Sequence, residues 1–347
     1  MHAKGVLEQK LNTMPKKIPT VLYIILLITS HVSAAVINMS NDSISIDSDK
    51  KYVSTPKHSI GLNSAYNINY MHLAMIDDKG NQRFTYYPNL RGIMNFRVNY
   101  KILSLSYSYN IRENDLYDKY YGQTTFRDFG FSIKTRPFWL DVYYENYEGF
   151  FIDEKQDFFP SFALDSVYMR NSKLSTFRLG MRAHFIMNSN YSMRAAFEFD
   201  ELQKKSAGSL ILLINPQLSN LRAPEEPLIP EKYKPYYSGL LDYERGRFYN
   251  IGTGMGYGYS LVIGPLNFSN ALMVGPSFQL YFFDGIKIRL PYHALFRSGL
   301  SVNFKHFYAG AAAAMDINNL YLNENRIRKQ GLVITFRMGF RLFSQKD

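Results

Sequence analysis

The chain has 347 residues, no cysteine, one tryptophan, 28 tyrosines and 26 phenylalanines, and a formal net charge of +11. Without cysteine there is no disulfide scaffold, no cysteine-ligated zinc or iron–sulfur centre, no cysteine nucleophile and no lipid-modified N-terminal cysteine. Charged residues at 20%, hydrophobic ones at 46% and a mean hydropathy of −0.23 exclude both a helical membrane protein and a disordered chain.

The first predicted element is an export signal over residues 1–34. Lys16 and Lys17 precede the apolar stretch Val21–Ile28, and Val32-Ser33-Ala34 ahead of Ala35 forms a small-residue cleavage site near Ala34. Met1 or Met14 opens it. The apolar stretch falls well short of the ~20 residues of a spanning helix. A polar N-terminal segment, 35–55, follows. The basic surplus is spread along the chain without a Lys/Arg-rich cluster, so no nucleic-acid partner is expected.

From 56 to 343 the chain alternates with period 2, as half-buried strands do. Twelve strands are predicted: 60–70, 90–100, 103–111, 125–135, 139–148, 174–186, 191–200, 250–262, 266–282, 294–305, 308–317 and 332–342. Tight turns at Lys101-Ile102, Arg136-Pro137, Asn188-Ser189-Asn190, Gly264-Pro265 and Lys305-His306-Phe307 alternate with long polar connections near 72–89, 112–124, 149–173, 201–249, 284–293 and 318–330. That asymmetry predicts an all-β fold, a transmembrane antiparallel up-and-down β-barrel with short periplasmic turns and long outer loops. Residues 344–347 form a C-terminal tail. The apolar segment Leu210–Ile214 is assigned to the 201–249 loop, because one more spanning strand there would break the alternation of short and long connections. It forms either a hairpin extension above the membrane, the preferred reading, or a lid over the barrel mouth.

One face of each strand is apolar and is assigned to lipid. The other is assigned to the lumen and carries Arg97, Asp128, Asp141, Glu145, Arg178 and Arg182 in the first half of the barrel. Arg194, Glu198, Asp200, Arg297, Arg337 and Arg341 continue it. Charges of both signs predict either a salt-bridge network that closes the barrel or, if arginines are left over, a pore favouring anions. Paired aromatics near strand ends, Tyr86-Tyr87, Tyr120-Tyr121, Phe150-Phe151 and Phe282-Phe283, are predicted interfacial girdles. Gly252, Gly254, Gly256 and Gly258 leave one strand face bare, either for close packing or as room for a plug or solute.

Chemistry is sparse. His184 and Ser192 would face each other across the 188–190 turn with Asp200 on the same face, a weak candidate for a nucleophile, base and acid. Asp200 stands ~26 Å up the strand from Ser192, which favours a structural role for all three. The histidines show no ligand spacing, so no metal or other cofactor is expected.

The segments Tyr121-Gly122-Gln123-Thr124, Tyr147-Glu148-Gly149-Phe150-Phe151, Ser206-Ala207-Gly208-Ser209 and Tyr257-Gly258-Tyr259 resemble, in order and spacing, a Bacteroidota family described as domain of unknown function 4421. The resemblance covers roughly 50 to 343. It implies an outer-membrane barrel and brings no assigned activity. The expected protein is therefore an outer-membrane β-barrel, a narrow solute conduit or a structural barrel that presents its outer loops. Its expected partners are outer-membrane lipid, the barrel-assembly machinery during insertion, and a small solute or surface partner. The alternatives are a lipid-modifying barrel enzyme and a secreted soluble β-rich binding protein.

Overall fold

In the computed structural model the chain divides into Met1–Ser48 and Asp49–Asp347, and the first unit lies outside the described residues. Description covers 51–342 except 55–59, 78, 80, 81, 91, 112–114, 154–167, 238, 239, 241, 242, 283–285, 305, 306, 323 and 324. The export signal, both starts and the 344–347 tail thus fall outside it.

The strands are β1 (Val53–Ser54), β2 (Ile60–Ile76), β3 (Arg83–Tyr87), β4 (Gly92–Tyr100) and β5 (Leu103–Ile111), then helix α1 (Asp115–Tyr121). After it come β6 (Thr125–Lys134), β7 (Phe138–Ile152), β8 (Met169–Ile186), β9 (Leu202–Gln203), β10 (Ala207–Arg222) and β11 (Arg245–Ile263). The last five are β12 (Leu266–Phe282), β13 (Ile286–Arg289), β14 (Tyr292–Asn303), β15 (Phe307–Leu322) and β16 (Asn325–Leu342). Twelve of them, β2, β4 to β8, β10 to β12 and β14 to β16, pair antiparallel in a closed ring. The seam is β16 on β2, from Arg326 opposite Ile76 to Leu342 opposite Ile60. Closure leaves the twelve-strand ring itself without a free edge.

The period-2 pattern is inverted relative to a soluble protein. Leu105 is 63% exposed on the outer face, whereas Ser260, Ser269 and Gln279 on the inner face are fully buried. Phe96, Met255, Val274, Phe336 and Phe340 extend the exposed apolar band around the ring. Such a surface belongs in hydrocarbon.

The seventh spanning strand differs from the expectation. Residues 191–200 form no strand; Arg194–Glu198 is a π-helical turn, and Phe199 closes it at φ 65 with its N–H on the Arg194 carbonyl. Leu210–Ile214 instead lies within β10, a spanning strand paired with β8 and β11 along its length. It is neither a hairpin extension nor a lid. The total of twelve survives because the expected strand 191–200 stood in the place of β10. The Asn188-Ser189-Asn190 turn is consequently the start of a long inner connection, 187–206, that turns back into the lumen.

Two outer connections are also more ordered than polar loops. β3 pairs with β2 on one side and β7 on the other, bridging above the shorter β4, β5 and β6. β15 and β16 remain paired as far as Leu322 opposite Asn325, so 318–330 is largely strand. The girdle assignment is corrected with them. Tyr86, Tyr87, Tyr121, Phe150 and Phe151 are all buried, and Tyr87, Tyr121 and Phe151 pack with Tyr117, Tyr120 and Tyr168. With β3 and α1 stacked over the short strands, these rings meet protein instead of lipid. Phe283 lies outside the described residues.

Candidate functional site

At the outer end the inner faces turn apolar. Met71, Leu73 and Met75 of β2, Phe150 of β7, Leu221 of β10, Phe248 of β11, Tyr281 of β12, Leu320 of β15 and Ile327 of β16 form one cluster. Leu228, Ile229, Tyr233, Tyr237, Leu240 and Tyr243, from the connection between β10 and β11, join it. Tyr233 stacks on Phe84 with centroids 4.5 Å apart, and Tyr86 Oη donates to the Leu228 carbonyl at 3.0 Å. Because its members come from opposite walls, the cluster crosses the lumen.

At the periplasmic end the same position is taken by the 187–206 connection. Tyr191, Met193, Ala196 and Phe197 pack against Trp139 of β7, Ile211 and Leu213 of β10, Met273 of β12 and Leu295 of β14. The bare face of β11 receives it: a Cβ on Gly258 would stand 2.6 Å from Tyr191 Oη, so the absent side chain makes room for the plug. Gly310 leaves the same kind of space for Phe199. Farther out, Gly252 accommodates the His293 ring. Ladder pairing of β1 with β9 ties the plug to the N-terminal segment.

Charge fixes the plug. Glu198 pairs with Arg337 at 3.0 Å, with Lys134 at 3.6 Å and with Arg97. Arg194 holds Asp200 through two hydrogen bonds, 2.8 and 3.2 Å, and reaches Glu201 at 3.5 Å. Burial alone would raise the Asp200 carboxyl, but Arg194 outweighs it and holds the group at about 2.

Between plug and outer cluster lies a chamber of about 310 Å³. Phe197 and Glu198 line its periplasmic side and Met71 and Tyr147 its outer side. Arg97, Asp128, Asp141, Glu145, Arg178, Arg182, Arg297 and Arg337 line it from the strands. Arg194 and Asp200 stand on the plug and not on a strand, and the side chain of Arg341 lies outside the described residues. Sequence reading missed Asp316 and Lys329, both chamber-lining. Asp316 follows the run Ala311–Ala314, whose weak alternation hides the inward parity.

Ion pairs cross the chamber. Arg178 Nη2 bonds Glu145 at 2.7 Å on the adjacent strand, and Nη1 reaches Asp316 on the far wall at 3.3 Å. Arg182 meets Asp316 at 2.9 Å, Lys329 meets Glu145 at 3.5 Å and Arg297 approaches Asp141 at 3.8 Å. Tyr143 lies under both Arg178 and Arg182, and Trp139 under Arg297. Arg178, Arg182 and Arg297 are thus held by carboxylates and rings, the arrangement expected of a salt-bridge network.

The His184–Ser192 arrangement is not formed. Its premise was a hairpin between 174–186 and 191–200, whereas β8 pairs with β7 and β10. His184 is fully buried beside Trp139. Ser192 Oγ donates to Glu201, accepts from the Ala195 N–H at 3.1 Å, and so caps the plug turn.

The sequence matches the family described as Domain of unknown function (DUF4421) over residues 47–341. No curated protein matches it. Among solved structures it is similar to the outer membrane protease OmpT from Escherichia coli, at 8% identity and TM-score 0.39, covering 83% of this chain and 98% of that one. An outer membrane channel from Pseudomonas putida F1 aligns at 10% identity and TM-score 0.32, over 83% and 98% of the two chains. The beta domain of the Bordetella autotransporter BrkA aligns at 8% identity and TM-score 0.33, over 81% and 98%.

Proposed function

The chain belongs to the DUF4421 family, and we propose that it works in the outer membrane as a non-conducting barrel, a rigid support for the elements at its outer rim. A closed antiparallel ring with an apolar outer band has the surface that an outer-membrane β-barrel presents to lipid. The observation that carries the closed reading is the outer apolar cluster, which joins strands on opposite walls across the lumen. Water and ions cross such a layer poorly, because each desolvated charge costs several kcal/mol, on the order of the Born penalty softened by relaxation. The plug and the trans-lumen ion pairs add two further obstacles. Export by cleavage near Ala34, insertion by the barrel-assembly machinery and contact with outer-membrane lipid complete this reading.

The enzyme alternative loses its support with the hairpin that was to join His184 and Ser192. The soluble alternative is disfavoured by the exposed apolar band. Planar-bilayer recording of refolded full-length protein tests the reading. No conductance steps are expected, and steady ohmic conductance from the intact protein would overturn it. Replacing Leu228, Ile229 and Tyr233 by serine together with removal of 189–205 should produce steps, which checks that the assay can detect an opened barrel.

A further inference from the structure

Outward-facing residues of β8, β10 and β11 change character at the outer end. On β10 the series Leu210, Leu212, Ile214 and Leu218 ends in Asn220 and Arg222; on β11 Tyr257, Met255, Ile251 and Tyr249 end in Arg247 and Arg245. On β8, Leu179 and Phe177 give way to Ser175 and Lys173. The ladder places these ends side by side: Arg222 is directly opposite both Arg245 and Ser175, and Asn220 is opposite Arg247. The intervening residues Leu221 and Phe248 point into the apolar cluster of the lumen, so the arginines point away from it.

Three guanidinium groups side by side repel one another, and Arg222 and Arg247 both act on Arg245. Among the described residues, none of Lys173, Arg222, Arg245 and Arg247 has an ion pair or side-chain hydrogen bond. Asn220, in their midst, is 9% exposed and its Oδ1 has no partner. Nearby carboxylates are otherwise placed. Glu148 faces outward one strand beyond β8, opposite Ser175, and Glu226 receives the Ser172 hydroxyl at 3.5 Å. Glu244 precedes Arg245 in the connection and is exposed, and among the described residues no ion pair joins the two.

We propose that Arg222, Arg245 and Arg247, with Lys173 beside them, bind the phosphate of an outer-leaflet glycolipid headgroup. The apolar residues immediately below them on the same strand faces would take its acyl chains. Position selects this partner. The cluster sits where the lipid-facing band ends, so an anion bound there also has hydrocarbon at its side. Arginine suits the task because its planar fork offers paired donors to phosphate oxygens. A soluble anion would use the charge and leave the apolar surface idle.

The test uses full-length protein refolded into phosphatidylcholine vesicles containing either bis-phosphorylated lipid A or the same lipid with both phosphates removed. Lipid retained after gentle extraction is counted by native mass spectrometry. Retention of the phosphorylated lipid is expected to exceed that of its dephosphorylated form, with about a fivefold loss for each arginine replaced by alanine. The combined Arg222→Ala, Arg245→Ala and Arg247→Ala variant should lose the preference while keeping its heat-dependent gel mobility. Equal retention of the two lipids by the unaltered protein overturns the proposal, whether or not the variant folds. So does an unchanged preference in a folded variant. Displacement by inorganic phosphate would also overturn it, in favour of a site for free anions.

Discussion

Arg182 of β8 and Asp316 of β15 meet at 2.9 Å although their strands stand on opposite sides of the ring, and Arg178 shares the same carboxylate at 3.3 Å. One aspartate therefore holds two arginines from across the lumen, and the barrel is braced internally as well as by its ladders. Asp316→Ala should leave the half-buried Arg182 without its carboxylate, while Arg178 keeps Glu145. Stranding one member of a fully buried pair costs about 3–5 kcal/mol, and this half-buried one should cost less. The heat-induced gel mobility shift is expected at a distinctly lower temperature. Planar-bilayer conductance should remain absent, because the two apolar closures do not depend on this bridge. Conductance appearing in Asp316→Ala would make the ion pairs the barrier.

The last strand offers a clean test of faces. Phe336 is 50% exposed on the outer side, while its neighbour Thr335 lines the chamber. An arginine at Phe336 should cost about 2–4 kcal/mol, as a charge at the bilayer midplane does. At Thr335 the same side chain enters a polar space and should cost much less. Denaturant titration of the refolded variants in one lipid measures both. Equal costs would mean that the chamber cannot accept another cation.

Strand parity was legible in the sequence because period 2 is enforced by the pleat, and the inner charges of β4, β6, β7, β8, β14 and β16 follow from it. The plug was not legible. Tyr191, Met193, Ala195, Phe197 and Phe199 alternate with Ser192, Arg194, Glu198 and Asp200 as a spanning strand would. Alternation records that one side is apolar and the other polar. It does not record whether the apolar side meets lipid or the inner wall. A better signal lay in Leu210–Ile214, apolar at every position. Leu210, Leu212 and Ile214 face lipid while Ile211 and Leu213 face the plug. A barrel strand apolar on both faces marks the place where something apolar fills the lumen.

The glycine face of β11 makes that filling testable. Adding a methyl at Gly258 brings it to 2.6 Å from Tyr191 Oη and 2.9 Å from Ile211 Cδ1, closer than unstrained contacts allow. Gly258→Ala should destabilise plug seating by about 1–3 kcal/mol, the usual range for overpacking. Tyr191→Ala removes the obstacle, so the double variant should lose less than the two single losses combined. Protease cleavage within 187–206 reads the effect. Simple additivity would show that Gly258 is small for a reason other than the plug.

Acid should loosen the plug from its other end. Asp200 lies outside the spanning strands, buried, and its carboxyl is held at about 2 against an ordinary value of 3.8, because Arg194 outweighs the burial that would raise it. A folded-state value below the unfolded one contributes stability that is present in full above the unfolded value. That stability is lost as pH falls from about 4 towards 2. The shift corresponds to on the order of 2 kcal/mol by proton linkage. Asp200→Asn keeps the shape but cannot carry the charge. At neutral pH it should make 187–206 markedly more exchange-labile than in the unaltered protein. Near pH 2 the two proteins should approach one another, since the native aspartate is then becoming neutral as well. Hydrogen exchange across 187–206 at both pH values measures this. A difference that stays constant from neutral pH to pH 2 would mean that the Arg194–Asp200 pair does not hold the plug.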